Sequence, residues 1–175
     1  MKKLKLGELG RISTEEYKSV AKRPIVIVLD NVRSLHNVGS AFRTADAFLV
    51  EKIFLTGITG QPPHREIQKT ALGATESVSW EYFSNAGELA KQLKQEGYTL
   101  IAIEQTTKSL PLQHFEADEN AKYCLVFGNE VNGVSEAVIG QADLAIEVPQ
   151  SGTKHSINVS VCVGIVVWEL AKKFM

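Results

Sequence analysis

The 175-residue sequence is poor in cysteine and proline and has no long apolar run, and each scarcity excludes a class of protein. Its two cysteines, Cys124 and Cys162, lie in apolar stretches without CxxC spacing. Buried reduced thiols are therefore expected, rather than a disulfide framework or a zinc cluster. No stretch reaches the ~18 consecutive apolar residues of a transmembrane helix, and the basic start leads into polar sequence, unlike a signal peptide. We expect a cytoplasmic protein that does not enter a membrane.

Net charge is also small, at −1, but it is unevenly distributed. Residues 1–23 contain seven basic and three acidic side chains, whereas the rest of the chain is mildly acidic. A basic arm of this kind can bind phosphate, but on charge alone a solvated amphipathic helix is the favoured explanation. Ser13 followed by Glu16 has the spacing of a capping box and predicts a helix start.

Apolar runs alternate with helical stretches along the chain, and this order predicts an α/β fold. Strands are predicted at 25–29, 52–56, 78–83, 99–104, 123–127 and 144–148. Helices are predicted at 14–22, 38–49, 64–71, 85–96, 135–141 and 157–173. Runs such as IVIVL are apolar at successive positions, which is typical of parallel strands covered on both faces. We expect a mostly parallel six-stranded sheet with helices on both faces in one domain, 24–175, preceded by an extension, 1–23.

The predicted last helix is apolar on almost every face. Its core, VSVCVGIVVWEL at 159–170, is too short to span a bilayer and suits a helix that is covered on all sides. A second subunit is one source of that cover, which predicts a homodimer. A central core helix in a monomer is the alternative.

Common catalytic motifs are missing. The sequence has no GxxxxGK[ST], no GxGxxG after a strand, no GxSxG and no HExxH. The four histidines are scattered, so no metal site is expected. We expect chemistry that needs neither a metal nor a nucleophilic serine or cysteine.

Polar residues instead gather in three clusters, at 30–46, 127–135 and 148–160, each placed at or just after the end of a predicted strand. Ligands of open α/β sheets bind at such strand ends. In the first cluster Asn37 is the expected helix N-cap. Arg43 lies at the edge of the apolar helix stripe, where it can pair with Asp46 or point into a crevice.

The other two clusters each contain a polar group that needs a partner. Glu130 follows a strand and can either cap its loop or pair with a base, while Gly128 permits close approach of the backbone to a ligand. Ser156 is a possible cap for the last helix. Asn158 lies within the strongly apolar last helix, where an unpartnered amide costs roughly 1–3 kcal/mol.

Together the clusters resemble the motifs of the SpoU-type (TrmH-like) RNA ribose 2'-O-methyltransferases of the SPOUT superfamily. The matching segments are NVGSAFRTADAF (37–48), FGNEVNGVS (127–135) and VPQSGTKHSINVSVCVG (148–164), in the family's order. The segment HREIQKTALGATESVSWEYF (64–83) is similar to the stretch between the family's motifs.

The resemblance implies a C-terminal deep trefoil knot, S-adenosylmethionine as cofactor, tRNA or rRNA as substrate, and a homodimer. It implies that Arg43 of one protomer reaches the cofactor pocket of the other. The catalytic residues that it implies are Asn37, Arg43, Glu130, Ser156 and Asn158. The cofactor-binding residues that it implies are Glu104, Gln105, Thr106, Phe127, Gly128, Asn129, Val148, Pro149 and Ile157.

Larger relatives carry an RNA-binding domain before the first strand, where this sequence has only 23 residues. RNA recognition is therefore expected from the basic arm, the dimer surface or a partner protein. Arg43 is expected to position the ribose hydroxyl together with an RNA phosphate, because a guanidinium is a poor base. Two alternatives stay open: an RNA-binding module without transfer activity, and methylation of a base instead of the ribose.

Overall fold

One parallel sheet organises the chain. The computed structural model describes residues 1–5 and 7–175, and in these residues seven strands pair in the order β3-β2-β1-β6-β4-β7-β5. The strands are β1 (Arg23–Asp30), β2 (Val50–Thr56), β3 (Trp80–Phe83), β4 (Tyr98–Ile103), β5 (Leu110–Pro111), β6 (Lys122–Phe127) and β7 (Leu144–Glu147). The predicted parallel α/β architecture is confirmed.

Helices connect the strands and cover both faces of the sheet. They are α1 (Thr14–Ser19), α2 (Leu35–Ala47), α3 (Arg65–Ala71), α4 (Ala74–Ser77), α5 (Ala86–Gln95), α6 (Glu136–Ile139) and α7 (Val159–Ala171). Side chains alternate across a strand. Ile25, Ile27 and Leu29 of β1 accordingly pack in one core with α2, α3 and α7, while Val26 and Val28 pack in a second core with α5.

The seventh strand was missed, so the predicted count of six is wrong. β5 has two residues, one of them a proline, and it pairs only with β7 at the edge of the sheet. Proline has no amide hydrogen to donate. It is tolerated at a sheet edge because one side of an edge strand has no neighbouring strand to receive a hydrogen bond. Two residues are too few to form an alternating pattern, so the sequence carries no signal for this strand.

Two predicted helix caps are also wrong. Ser34, not Asn37, is the N-cap of α2, and its hydroxyl accepts a hydrogen bond from the Asn37 amide at 3.3 Å. Asn158, not Ser156, is the N-cap of α7, and its side-chain oxygen accepts from the Ser160 amide at 2.8 Å. The capping box of Ser13 is confirmed at the start of α1.

Helix α7 is less enclosed than its sequence suggests. Val163, Val166, Val167 and Leu170 are buried in the core that also contains α2. Val161, Ile165 and Trp168 are 53%, 38% and 49% exposed. Their spacing places them along one side of the helix, so α7 leaves an apolar stripe uncovered. In the part of the chain described, no helix is long and apolar enough to cross a membrane.

Candidate active site

Four loops meet where β1, β6, β4 and β7 end. Because neighbouring parallel strands end at the same edge of a sheet, the segments that follow them converge there. Leu29 is in register with Phe127, and Phe127 with Ile103. The segments that follow β4, β6 and β7 line a cavity of about 500 Å³, a size typical of sites for small organic ligands.

Most of the predicted cofactor-binding residues line this cavity. Those that do are Glu104, Gln105, Phe127, Gly128, Asn129, Val148 and Ile157, together with the predicted catalytic residues Glu130, Ser156 and Asn158. Apolar walls come from Ile103 and Ile146. Thr106, Pro149, Asn37 and Arg43 are not among the lining residues.

Glu130 ties the second polar cluster to the first. Its carboxylate accepts hydrogen bonds from the backbone amides of Arg33 at 2.9 Å and Ser34 at 3.0 Å. Partial burial opposes ionisation of Glu130, but these hydrogen bonds outweigh it and hold the pKa of the carboxyl below its ordinary value. Glu130 therefore stays charged near neutral pH and fixes the loop before α2.

Asn37 connects this carboxylate to the third cluster. Its side-chain nitrogen donates to the Glu130 carboxylate at 3.2 Å. Its side-chain oxygen accepts from the side-chain nitrogen of Asn158 at 3.1 Å. Asn37 itself is buried, whereas Glu130 and Asn158 are exposed, so both bonds lie at the edge of the protein interior. Three predicted catalytic residues, far apart in sequence, thus form one hydrogen-bonded chain. This explains why Asn37 does not cap its helix, since its side chain is engaged across the site.

Two glycines allow the second cluster to fold against the sheet. A Cβ at Gly128 would lie 2.0 Å from the backbone carbon of Gly133, so Gly128 serves the close approach of its own loop. Gly133 has φ +67°, and a Cβ there would lie 2.0 Å from the Glu104 carboxylate. That carboxylate accepts from the amides of Val134 and Gln105 at 3.0 and 2.9 Å. Glu104 is therefore a brace for the loop as well as part of the cavity wall.

Sequence reasoning missed the roles of Asp30 and Asn129. Asp30 is buried at the end of β1 and accepts from the Ser135 amide at 2.9 Å. The Asn129 side chain donates to the carbonyl oxygen of Asn31 at 2.6 Å. The position of Asp30 at the end of an apolar strand could have identified it as a residue of the site. Its partner, the Ser135 amide, lies 105 residues away and was not predictable.

Arg43 lies outside this cavity. It is exposed on α2 and lines a second depression with Lys69 and Thr70 of α3. Of the two alternatives for Arg43, the structure does not have the pairing with Asp46, because Asp46 accepts a hydrogen bond from Ser77. Across residues 1–5 and 7–175, no hydrogen bond or ion pair engages the guanidinium.

The chemistry available in the cavity is that of carboxylates, amides, a hydroxyl, the His155 imidazole and the Cys162 thiol beside apolar walls. Among the described residues, no group of three or more histidine, cysteine or acidic side chains is placed to hold a metal ion. Both cysteines are free thiols; Cys124 is buried and Cys162, at the cavity wall, is partly buried.

A family comparison agrees with the arrangement of these clusters. The sequence model described as the SpoU rRNA Methylase family matches residues 24–168. The chain belongs to this family. The resemblance seen in the three motifs is thereby confirmed, and the SpoU domain contains every residue of the cavity.

Individual relatives of this SpoU protein are distant. It is 28% identical over 156 residues to the 23S rRNA (guanosine-2'-O-)-methyltransferase RlmB of Neisseria meningitidis serogroup B, covering 89% of this chain and 61% of that protein. It is 27% identical over 173 residues to a tRNA (guanosine(18)-2'-O)-methyltransferase of Borreliella burgdorferi, covering 95% and 78%. The chain therefore spans less than two thirds of the Neisseria relative.

A solved structure supports the fold independently. The AdoMet-bound rRNA methyltransferase of Sinorhizobium meliloti is similar with a TM-score of 0.81 and 22% identity, over 91% of this chain and 60% of that one. At this identity the likeness establishes the common fold.

Proposed function

We propose that this protein transfers a methyl group from S-adenosylmethionine to a ribose 2'-hydroxyl of tRNA or rRNA. The observation that carries the proposal is the hydrogen-bonded chain of Glu130, Asn37 and Asn158 at the edge of a cavity built from the family's motifs. The names of both relatives, a tRNA and an rRNA 2'-O-methyltransferase, support the same reaction.

The cavity fits the cofactor in size and in chemistry. Apolar side chains such as Phe127, Val148 and Ile157 offer a slot for an adenine ring, and the Glu104 and Glu130 carboxylates are attractive to a cation. S-adenosylmethionine, when bound, supplies an electrophilic methyl group on a positively charged sulfur. We propose Thr106 and Pro149 as members of the same loops that hold the cofactor without lining the present cavity.

The residues of the chain have to orient the ribose and exclude water, since proximity and alignment lower the barrier of such a transfer. Glu130 and Asn37 hold the start of α2, which carries Arg43. Arg43 positions and polarises the 2'-hydroxyl together with an RNA phosphate; the proton leaves to a phosphate oxygen or to water. Ser156 and Asn158 shape the opposite wall of the site.

Arg43 lies outside the cavity of its own chain, which supports a homodimer. In that dimer, Arg43 of one copy reaches the cavity of the second copy. The exposed apolar stripe of α7 (Val161, Ile165 and Trp168) supplies the surface that a second copy buries.

We further propose that residues 24–175 form a knotted SPOUT domain in a cytoplasmic protein. β7 lies between β4 and β5, and Gln105, in the segment that joins those strands, donates to the carbonyl oxygen of His155 at 3.3 Å. From there the chain continues to α7, which packs beside α2. These positions support a threading of the tail through the segment between β4 and β6. Residues 1–23 act as an RNA-binding arm.

The test is methyl transfer to RNA that lacks the modification. Purified protein is incubated with tritiated-methyl S-adenosylmethionine and total RNA from a strain in which the gene is deleted. We expect label at one position, in a linkage that resists alkaline hydrolysis, because a 2'-O-methyl group blocks attack by that oxygen. Alkali-sensitive linkages at the labelled nucleotide would instead indicate methylation of the base.

Arg43 provides the matched variants for this assay. Arg43→Ala and Arg43→Lys are both expected to lose transfer by roughly 100-fold or more, since the lysine cannot reproduce the planar fork of donors. Cofactor binding, measured by calorimetry, is expected to change little in either variant. Transfer near the wild-type rate in both variants would show that Arg43 has no part in the mechanism. A wild-type protein that does not bind S-adenosylmethionine would contradict the proposed methyltransferase activity.

A further inference from the structure

A second depression lies between α2 and α3, apart from the cavity described above. We call it the α2–α3 groove, and its lining consists of Ser40, Arg43, Thr44, Ala47, Phe48, Lys69 and Thr70. In the described residues, it shares no lining residue with the cavity at the strand ends. Apart from Arg43, none of these side chains has a part in the proposed reaction.

Direct backbone packing fixes the groove. A Cβ at Gly39 would lie 2.2 Å from the Thr70 hydroxyl and 2.3 Å from the carbonyl oxygen of Ile67, so α3 can approach α2 only because residue 39 is glycine. The Thr70 hydroxyl also donates to the carbonyl oxygen of His36 at 3.0 Å. These contacts hold Lys69, the neighbour of Thr70, beside the helix turn that carries Arg43.

Two positively charged side chains, Arg43 and Lys69, line the groove, and few acidic side chains neutralise them. Lys69 is 3.9 Å from Glu66, at the limit of an ion pair, and its side chain is 68% exposed. Glu66 is engaged more closely by His36, at 2.6 Å. Since Arg43 has no partner among the residues described, two positive charges and the Ser40 hydroxyl face a common space. Such a set attracts an oxyanion, which a guanidinium and an ammonium bind together through charge-assisted hydrogen bonds.

We propose that Lys69 and Arg43 form a binding site for a phosphate of the substrate RNA. This inference rests on the proposed function and adds to it a residue, Lys69, that none of the three motifs contains. Lys69 binds the backbone next to the reacting ribose, so that Arg43 meets the hydroxyl in a fixed register. The carboxylate of the cofactor is the other oxyanion that could reach two such cations, and the experiment separates the two.

The experiment compares Lys69→Gln and Lys69→Arg with a matched control, Lys91→Gln. Lys91 is an exposed lysine of α5, on the opposite face of the sheet, so the control loses the same charge elsewhere. Binding to unfractionated tRNA and to rRNA fragments is measured by filter retention at several salt concentrations. Methyl transfer and calorimetric binding of S-adenosylmethionine are measured on the same preparations.

Log affinity falls as log salt concentration rises. We expect Lys69→Gln to make this dependence weaker, reducing the magnitude of the slope by about 0.7 to 0.9, the value of one bound phosphate. The KM for RNA rises several-fold and kcat falls, because Arg43 no longer meets the hydroxyl in a fixed register, whereas the affinity for S-adenosylmethionine stays at the wild-type value. Lys69→Arg keeps the wild-type slope, and Lys91→Gln changes none of these quantities.

Two results overturn the proposal. One is a salt slope for Lys69→Gln equal to that of the Lys91 control. The other is a loss of affinity for S-adenosylmethionine with RNA binding intact, which would assign the groove to the cofactor. Failure of the proposed function is distinct, because it appears as a wild-type protein that transfers no methyl group, whatever the salt slopes of the variants.

Discussion

Glu130 shows how a single side chain can hold two distant segments together. Both carboxylate oxygens accept backbone amides of the loop before α2, and Asn37 adds a third hydrogen bond. The sequence placed Glu130 after a strand and identified it as a cap of its own loop or an ion-pair partner; in the structure it accepts hydrogen bonds from a different loop, the one before α2. The identity of the amides was beyond prediction, since they lie 96 and 97 residues away.

Substitution of this residue gives a pH-dependent effect on stability. Glu130→Gln should lower the free energy of unfolding by about 1 kcal/mol at pH 7, less than is usual for hydrogen bonds to a charged group, because Glu130 is exposed and screened by solvent. The folded-state pKa is depressed, so the stabilisation is complete above the ordinary carboxyl pKa and is lost as pH falls through the folded value. The difference between variant and wild type should therefore disappear in acid.

Urea denaturation at a fixed protein concentration, between pH 3 and 7, measures this difference. Glu119→Gln is the matched control, since Glu119 is exposed and lies outside the site. We expect the control to stay within about 0.5 kcal/mol of wild type at every pH. A deficit for Glu130→Gln that is equally large at pH 3 would show that the charge is not its cause.

At the scale of elements, the order of helices and strands was predictable and their ends were not. The strand 25–29 was recognised from consecutive apolar residues, and the structure extends it to Arg23–Asp30. The predicted helix 157–173 begins two residues later, because Asn158 caps it. The position of a helix start depends on which polar side chain accepts hydrogen bonds from the first free backbone amides. More than one residue near each helix start could have been that N-cap.

The uncovered stripe of α7 leads to a prediction about assembly. Ile165→Glu should shift the protein from dimer to monomer, since a carboxylate would be buried in the proposed interface without a partner. Sedimentation velocity at micromolar protein concentration measures the shift. Leu144→Glu is the control, because Leu144 has the same 38% exposure but lies on the strand β7.

The assembly prediction has consequences for activity as well. If Arg43 serves the cavity of a second copy, the Ile165→Glu monomer should transfer no methyl group. An Ile165→Glu protein that stays dimeric, or a monomer with full activity, would contradict the shared site.

For the whole molecule, the sequence motifs predicted both the site residues and the fold class, whereas composition and patterning predicted the fold class alone. Composition and strand patterning predicted a parallel α/β sheet, and the structure has one. The family resemblance selected ten residues that line one cavity, eight of them within the three motifs. Neither source could place Lys69 beside Arg43, because that arrangement depends on the absence of a side chain at Gly39 and on the packing of two helices.

The charge distribution of the whole chain leads to a prediction about RNA binding. Replacing Lys2, Lys3 and Lys5 with glutamine should flatten the salt dependence of RNA affinity by up to about 0.7 to 0.9 for each phosphate that the arm no longer binds. Arginine at the same three positions keeps the charge and should keep the slope. A glutamine variant with the wild-type slope would remove the arm from the RNA-binding surface.

The link between Asn37 and Asn158 also determines when the protein becomes competent during its synthesis. A nascent chain that has left the ribosome only as far as β6 can pair β1, β2 and β3, but its pocket still lacks the segment from Val148 to Asn158. Ligand capture therefore awaits translation of residues 148–158, and a ribosome stalled before that segment would display a sheet without a usable pocket.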